Sequence, residues 1–323
     1  FDHKKDKVYI LEEALYSDRS EADLAASLER IMAELAQPAV DEFSPLELSS
    51  LNFQSHIEQT AFEKMVEEAR SLIRQGDMFQ CVLSQRFSSE YSGRPLDYYR
   101  NLRVTNPSNY LYFYDFGDYQ IIGASPESLV SVKQGQVTTN PIAGTRPRGK
   151  DEREDKALAE ELLADEKEVA EHRMLVDLGR NDIGKIAQNN SVEVTKYMEV
   201  EYFRYVMHLT SVVRGQLLPQ LTAMDALKST LPAGTVSGAP KIRAMKRIYE
   251  LEQEKRGVYA GAIGYLSATG DMDFAIAIRT MILKNGRAYV QAGAGIVYDS
   301  IPANEYQETI NKAKSMTKIG EMQ

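Results

Sequence analysis

Tryptophan is absent from the 323 residues, and cysteine occurs once, as Cys81. A lone thiol closes no internal disulfide, which fits a reducing cytoplasm and excludes a disulfide framework. With only four histidines (His3, His56, His172 and His208), no Cys/His metal cluster has the right spacing, and no Ser/His/Asp order is legible. No apolar run reaches the roughly 18 residues of a membrane-spanning helix, so no membrane partner is expected, and no signal peptide is legible. Positive charge is also in deficit: 38 Lys and Arg stand against 47 Asp and Glu, a net charge of −9. Nucleic acid needs a basic face, so it is excluded as a partner. A small anionic substrate is not, because a few arginines, backbone amides or a metal ion could hold it. There is no repeat of fixed period and no low-complexity tract. The chain does not begin with Met and opens on what reads as a strand, so it is expected to be a fragment or a processed form.

What is present reads as one large core with a smaller piece before it. Lys7–Leu11 is a short strand candidate. Ser20 opens a helix with Asp23 at capping-box spacing, and Pro38 ends it. Pro38–Phe53, rich in Ser, Pro and Asn, reads as a linker, so the division falls at residues 1–50 and 51–323. A second helix is predicted from Ser55 and Glu58, with apolar residues at helical intervals from Phe62 to Ile73 and Gly76 as its stop. Phe79–Phe87, Tyr110–Phe116 and Tyr119–Gly123 read as strands. Gly117-Asp118, Gln134-Gly135 and Asn285-Gly286 read as hairpin turns. Ala260–Ala268, Met272–Lys284 and Arg287–Val297 form a predicted meander. Helices are predicted over Asp151–Gly179, Ala223–Ser229, Pro240–Gln253 and Ala303–Lys318. Tight hairpins with helices set between them imply an α+β fold with mainly antiparallel sheets.

Several groupings of residues could carry chemistry. Glu168 and Glu171 lie three apart on one predicted helix, and Glu305 and Glu308 three apart on another. Such pairs share a helix face. Four oxygen ligands suit Mg²⁺, whereas the bland alternative is a pair of solvated acidic faces. Gln291–Ile296 carries Gly293 and Gly295, whose backbone amides could hold an anion or merely allow close strand packing. Leu231–Lys241 looks like a phosphate loop but fails the Walker pattern, and its Thr235 and Ser237 could donate to a ligand. Pro141–Gly149 turns sharply and carries Arg146 and Arg148, which match carboxylates or decorate a surface. His208 lies on a β-rich run, on one face with Val206, Thr210 and Val212. Glu127 follows a strand and a proline, where most such residues simply cap a turn.

Taken together, six segments resemble the chorismate-binding enzymes, whose members make anthranilate, aminodeoxychorismate, isochorismate or salicylate. They are Ala-Ser-Pro-Glu-Ser (124–128), Pro-Ile-Ala-Gly-Thr-Arg-Pro-Arg-Gly (141–149) and Glu-His-Arg-Met-Leu-Val-Asp-Leu-Gly-Arg-Asn-Asp (171–182). Val-Met-His-Leu (206–209), Leu-Pro-Ala-Gly-Thr-Val-Ser-Gly-Ala-Pro-Lys (231–241) and Gly-Ala-Gly-Ile-Val (293–297) complete the set. The resemblance runs from about Glu58 to Lys318. It implies a large α+β domain of two antiparallel sheets flanked by helices. It also implies Mg²⁺ on Glu171 and Glu308, with Glu168 and Glu305 as further or outer ligands. Chorismate would be held by Tyr259, Arg279, Gly293 and Gly295, with Gly144 and Thr145 on another side. Glu127 resembles the general acid for the leaving ring hydroxyl, a role that needs a raised pKa. His208 and Thr235 resemble active-site residues, with His208 linked to pyruvate loss.

Two positions narrow the chemistry. Gln80 stands where water-adding members carry a lysine base, and glutamine is no such base, so the nucleophile should already be nucleophilic, as ammonia is. Ala143 stands where other members carry a lysine that attacks the ring, and alanine forms no such bond. Amination by ammonia followed by loss of pyruvate is therefore expected. The alternatives are formation of aminodeoxychorismate by a lysine-free route and an inactive, partner-binding homologue. Cys81 lies inside a strand, so glutamine use should require a separate glutamine amidotransferase subunit. Longer family members bind tryptophan through a Leu-Leu-Glu-Ser motif that this chain lacks, so tryptophan should inhibit only a full-length protein. Asn106–Tyr110 resembles the other half of that pocket.

Overall fold

The computed structural model describes residues 2, 4–13, 17–38, 51–203, 206–252 and 254–318. Its helices are α1 (Glu21–Ala36), α2 (Gln59–Arg74), α3 (Pro95–Thr105), α4 (Glu152–Ala164), α5 (Glu166–Gly184), α6 (Ala223–Thr230), α7 (Lys241–Leu251) and α8 (Pro302–Thr317). Its strands run from β1 (Gln54–Ser55), β2 (Gln80–Glu90), β3 (Tyr110–Asp115), β4 (Tyr119–Ser125), β5 (Ser128–Lys133), β6 (Gln136–Thr139) and β7 (Ile142–Pro147) onward. They continue with β8 (Glu193–Tyr202), β9 (Val206–Gln216), β10 (Gly238–Ala239), β11 (Ala262–Leu266), β12 (Met272–Ile276), β13 (Thr280–Lys284) and β14 (Arg287–Ile296). Two compact units result, Phe1–Pro45 and Leu46–Gln323. The first carries α1, whose N-terminus is closed by the reciprocal Ser20–Asp23 box. Lys7–Leu11 forms no strand, and Lys7 makes only an isolated bridge to Asp2. Most of the predicted linker, residues 39–50, lies outside the described residues.

The second unit is built on two antiparallel sheets. One runs β1-β2-β14-β13-β4-β3 with β10 also on β2, and the other runs β11-β12-β5-β6-β9-β7 with β8 on β9. Hairpins join β3 to β4, β5 to β6 and β13 to β14 at the predicted turns, and Gly117, Gly135 and Gly286 all have positive φ. Helices α3 and α8 cover the first sheet over Phe87, Ile122, Met281 and Val290. Helices α2 and α7 cover its other end over Cys81, Leu83 and Ile296. The second sheet packs against α5 and α6 around Val130, Val176, Val213 and Leu227.

Three further local readings change. Glu58, not Ser55, precedes α2, and the Ser55 hydroxyl instead bonds to the Ile57 backbone within the strand pair β1–β2. The helix does end as read: Gly76 donates to Ile73 and Asp77 to Leu72, a Schellman closure that a glycine at φ 78° permits. Asp151–Gly179 is two helices, because Asp165 ends α4 and its carboxylate accepts from Lys167 N and Glu168 N to start α5, which runs on to Gly184. Met272–Lys284 is two strands, not one. The chain leaves the second sheet at Ile276, turns at Ala277–Arg279 with Arg279 at φ 50°, and enters the first sheet at Thr280. Strand propensity is uninterrupted across that corner, so its position is set by the sheets rather than by a turn residue.

Candidate functional site

The corner at Ala277–Arg279 opens an edge. Strand β14 pairs with β13 only from Arg287 to Val290, while its pairing with β2 continues to Ile296. The stretch Ala292–Ile296 therefore has β2 on one side only. The ammonium of Lys312 reaches the Gly293 carbonyl at 3.1 Å. The N–H and C=O of one strand residue point to the same edge, so the Gly293 amide lies on that open edge as well. The two glycines sit in regular pairing with β2 and not in a bulge. Each has a steric reason: a Cβ at Gly293 would lie 2.6 Å from the Tyr259 hydroxyl, and one at Gly295 would lie 2.7 Å from Gln80 Nε2.

Glu127 lies between β4 and β5, at the end of the other sheet. Its backbone carbonyl accepts from Ile276 N at 3.0 Å, and its Oε1 accepts the Thr235 hydroxyl at 2.8 Å. Burial pushes the carboxyl up to about 7, against the lowering pull of that hydroxyl and of the Lys312 charge. The Leu231–Lys241 loop brings Thr235 there by lying on β2. Gly238 pairs with Cys81 at φ 137°, where a Cβ would lie 2.2 Å from the Gln80 carbonyl. Arg256 pins the same place, donating to the Val236 carbonyl, the Val82 carbonyl and both Glu252 oxygens. Its guanidinium lies 5.4 Å over the Tyr259 ring, and burial pushes that phenol up to about 12.

His208, on β9, faces β7. Its Nδ1 lies 3.0 Å from the Gly144 carbonyl and 3.0 Å from Thr145 Oγ1. A carbonyl only accepts, so Nδ1 carries the proton and Nε2 is the basic nitrogen. Burial lowers the imidazole pKa, outweighing the Gly144 carbonyl, so the ring is neutral and competent as a base. Gly144 has φ 74° and interrupts the β7–β9 register between Ala143 and Thr145, which aims its carbonyl at the ring.

The paired glutamates fall on the predicted helices, Glu168 and Glu171 on α5 and Glu305 and Glu308 on α8. Burial, then the adjacent Glu171 and Asp165, raises Glu168. Burial raises Glu305 as well, with the nearby Glu308 adding to it and the Ser300 hydroxyl opposing it. Each pair thus carries internal repulsion that a divalent cation would relieve, and carboxylates are the right donors for Mg²⁺. As their side chains stand, no group of three His, Cys, Asp or Glu among the described residues could hold a metal ion. Instead Gln80 Nε2 donates to Glu171 at 3.3 Å, and Lys312 pairs with Glu308 at 2.6 Å. Gln80 is 5% exposed, and its Oε1 lacks a partner among the described residues. Arg279 is turned onto α8, donating to the Lys312 carbonyl at 2.8 Å and Ser315 Oγ at 2.6 Å.

No signal in the sequence marks Lys312 or Arg256. Lys312 reads there as a surface partner of Glu308 at i, i+4, and Arg256 stands in a charged stretch with no motif. Arg146 holds Asp165 at 2.8 Å and Glu161 at 3.1 Å, and Arg148 holds Asp155, so these arginines are internal braces. Cys81 is buried, and burial pushes its thiol up to about 12. In the Asn106–Tyr110 segment, Ser108 donates to the Ser125 carbonyl and the Tyr110 hydroxyl to Asp273 at 3.0 Å. No described helix is long and apolar enough to cross a membrane.

Residues 1–318 match the family described as chorismate binding enzyme. Over 321 residues the chain is 58% identical to anthranilate synthase component 1 of Lactococcus lactis subsp. lactis (strain IL1403), covering 99% of this chain and 70% of that protein. Over 271 residues it is 54% identical to the protein of the same name from Aquifex aeolicus (strain VF5), covering 84% of this chain and 55% of that one. The crystal structure of anthranilate synthase component I from Streptococcus pneumoniae TIGR4 superposes with a TM-score of 0.92 at 76% identity, over 98% of this chain and 71% of that one. The menaquinone-specific isochorismate synthase from Escherichia coli superposes with a TM-score of 0.78 at 25% identity, over 92% and 68%. The chain thus spans between 55% and 71% of the length of these relatives.

Proposed function

This chain belongs to the chorismate binding enzyme family, and on that footing we propose that it aminates chorismate with ammonia and expels pyruvate, giving anthranilate for tryptophan synthesis. The observation that carries this reading is the Glu127–Thr235 pair. A buried carboxyl at about 7 holds a proton at neutral pH, and the Thr235 hydroxyl fixes one of its oxygens. Such a group serves as general acid toward the departing ring hydroxyl. The open edge at Gly293 and Gly295, with Tyr259 behind it, receives the substrate, and Gly144 and Thr145 line the opposite side. Arg279 supplies positive charge from the corner between the sheets. His208, neutral with Nε2 free to accept a proton, removes the ring hydrogen as pyruvate leaves.

Mg²⁺ held by Glu171 and Glu308, with Glu168 and Glu305 beside them, would neutralise the ring carboxylate when bound. Gln80 offers no base to activate water, and Ala143 offers no amine to attack the ring, which favours free ammonia as the nucleophile. The buried Cys81 thiol is a poor nucleophile, so ammonia from glutamine calls for a second, amidotransferase subunit. Incubation with chorismate, Mg²⁺ and ammonium, followed by mass analysis of the ring product, tests the reading. Anthranilate is the expected product. Aminodeoxychorismate in its place would overturn the assignment, and intact chorismate would favour an inactive, partner-binding homologue.

A further inference from the structure

Glu127 lines a cavity of about 60 Å³, together with Thr139, Gly179, Asp182, Thr230 and Thr235 among others. One water needs roughly 10–15 Å³ of such space together with two to four polar partners. The polar partners are present. Thr139 is 8% exposed, and its hydroxyl oxygen has no hydrogen-bond partner among the described residues. An unpaired buried hydroxyl is costly, and beside a cavity with room for water it is satisfied by water. The Asp182 carboxylate is fixed by buried Lys241 at 2.6 Å and by half-exposed Lys185 at 3.1 Å. Gly179, inside α5, keeps the space open, since a Cβ there would lie 3.1 Å from Thr139 Oγ1. Helices favour alanine over glycine, so this glycine has a local reason.

We propose that a water in this cavity, held by Thr139 Oγ1 and Asp182, returns to Glu127 the proton it gives up in each turnover. The proposal rests on the reading of Glu127 as the general acid. The Glu127 carboxyl protonates the ring hydroxyl, which departs as water, and a carboxylate remains. The cavity water gives that carboxylate a proton. In the same concerted transfer that water takes up the proton that the attacking nitrogen sheds on passing from ammonia to the ring amine, so no free hydroxide forms. One ammonia is consumed and one water released, with no other reactant. Thr139 touches no substrate and acts by positioning the water.

The test compares Thr139→Val, Thr139→Ser, Gly179→Ala and Glu127→Gln in the ammonia-dependent reaction. Thr139→Val should lower kcat about tenfold with KM for chorismate unchanged, a modest share of what acid–base catalysis supplies. Its solvent deuterium isotope effect should rise, and Thr139→Ser should restore both. Gly179→Ala should lower kcat alike although alanine favours the helix, and it serves as the second variant should Thr139→Val fail to fold. Parental kcat and isotope effect in Thr139→Val and Gly179→Ala, beside an inactive Glu127→Gln, would overturn the water and spare the acid. An active Glu127→Gln would overturn both.

Discussion

At the scale of single residues, desolvation sets the protonation of the two groups that would exchange protons. Burial moves Glu127 from its ordinary 4.5 to about 7, so between those values the folded chain binds a proton that the unfolded chain releases. The stabilisation this gives is fully present below about 4.5 and is lost as pH rises through about 7. Glu127→Gln should therefore flatten the thermal stability profile across that window, read by calorimetry at several pH values. It should also cut turnover by at least about a hundredfold, the lower range for a lost general acid. A variant that kept both the slope and the turnover would remove Glu127 from the chemistry. His208 shifts the other way, since burial favours its neutral form. His208→Ala should slow pyruvate loss more than amination. An aminated ring still bearing its enolpyruvyl group should then accumulate and be visible by mass, and anthranilate formed at the parental rate would contradict this.

Secondary-structure elements decide where the charges stand. Asp165 divides what reads as one long helix, and the new N-terminus lets α5 present Glu168 and Glu171 from its first turns. Helix α8 presents Glu305 and Glu308 in the same manner, with Lys312 one turn further on. If these faces share a cation, Mg²⁺ should raise the melting temperature by mass action. Glu171→Gln and Glu308→Gln should each abolish that shift and the activity, while leaving the metal-free melting temperature equal to or above the parent's, because a repulsion is relieved. Binding should weaken as pH falls, since Glu168 and Glu305 take up protons more readily than ordinary carboxylates. A Mg²⁺-induced shift that survived both substitutions would rule these helices out as the ligand source.

On the scale of the whole molecule, the two sheets are joined at Ala277–Arg279, and the candidate site lies where that corner uncovers the end of β14. No cysteine among the described residues is placed to free ammonia from glutamine. The one thiol is buried in strand β2, and burial pushes it up to about 12. The isolated chain should thus use ammonium but not glutamine, with a rate that climbs with pH toward the ammonium pKa as the NH₃ fraction grows. Adding a glutamine amidotransferase partner should restore glutamine use, and Cys81→Ser should leave it intact. Glutamine-dependent product from the chain alone would refute the need for a partner.

The elements were legible where their signals are local. Capping residues stand within four positions of the groups they satisfy, hairpin glycines within two, and amphipathic spacing repeats inside one helix, so α1, the three hairpins and the four glutamates could be placed from the sequence itself. The six contiguous segments hold Glu127, Gly144, Thr145, Glu171, His208, Thr235, Gly293 and Gly295, whereas Tyr259 and Arg279 lie outside them. The contacts that make a site were beyond such reading. Thr235 meets Glu127 across 108 positions of chain, and Gln80 meets Glu171 across 91. Lys312 on Gly293 and Arg256 over Tyr259 carry no motif. The corner that splits Met272–Lys284 follows no turn residue. Which sheet a strand joins is decided by the surfaces available to bury it, and the pKa of a carboxyl by what those surfaces exclude. Both are properties of the assembled core, so only the tertiary structure fixes them.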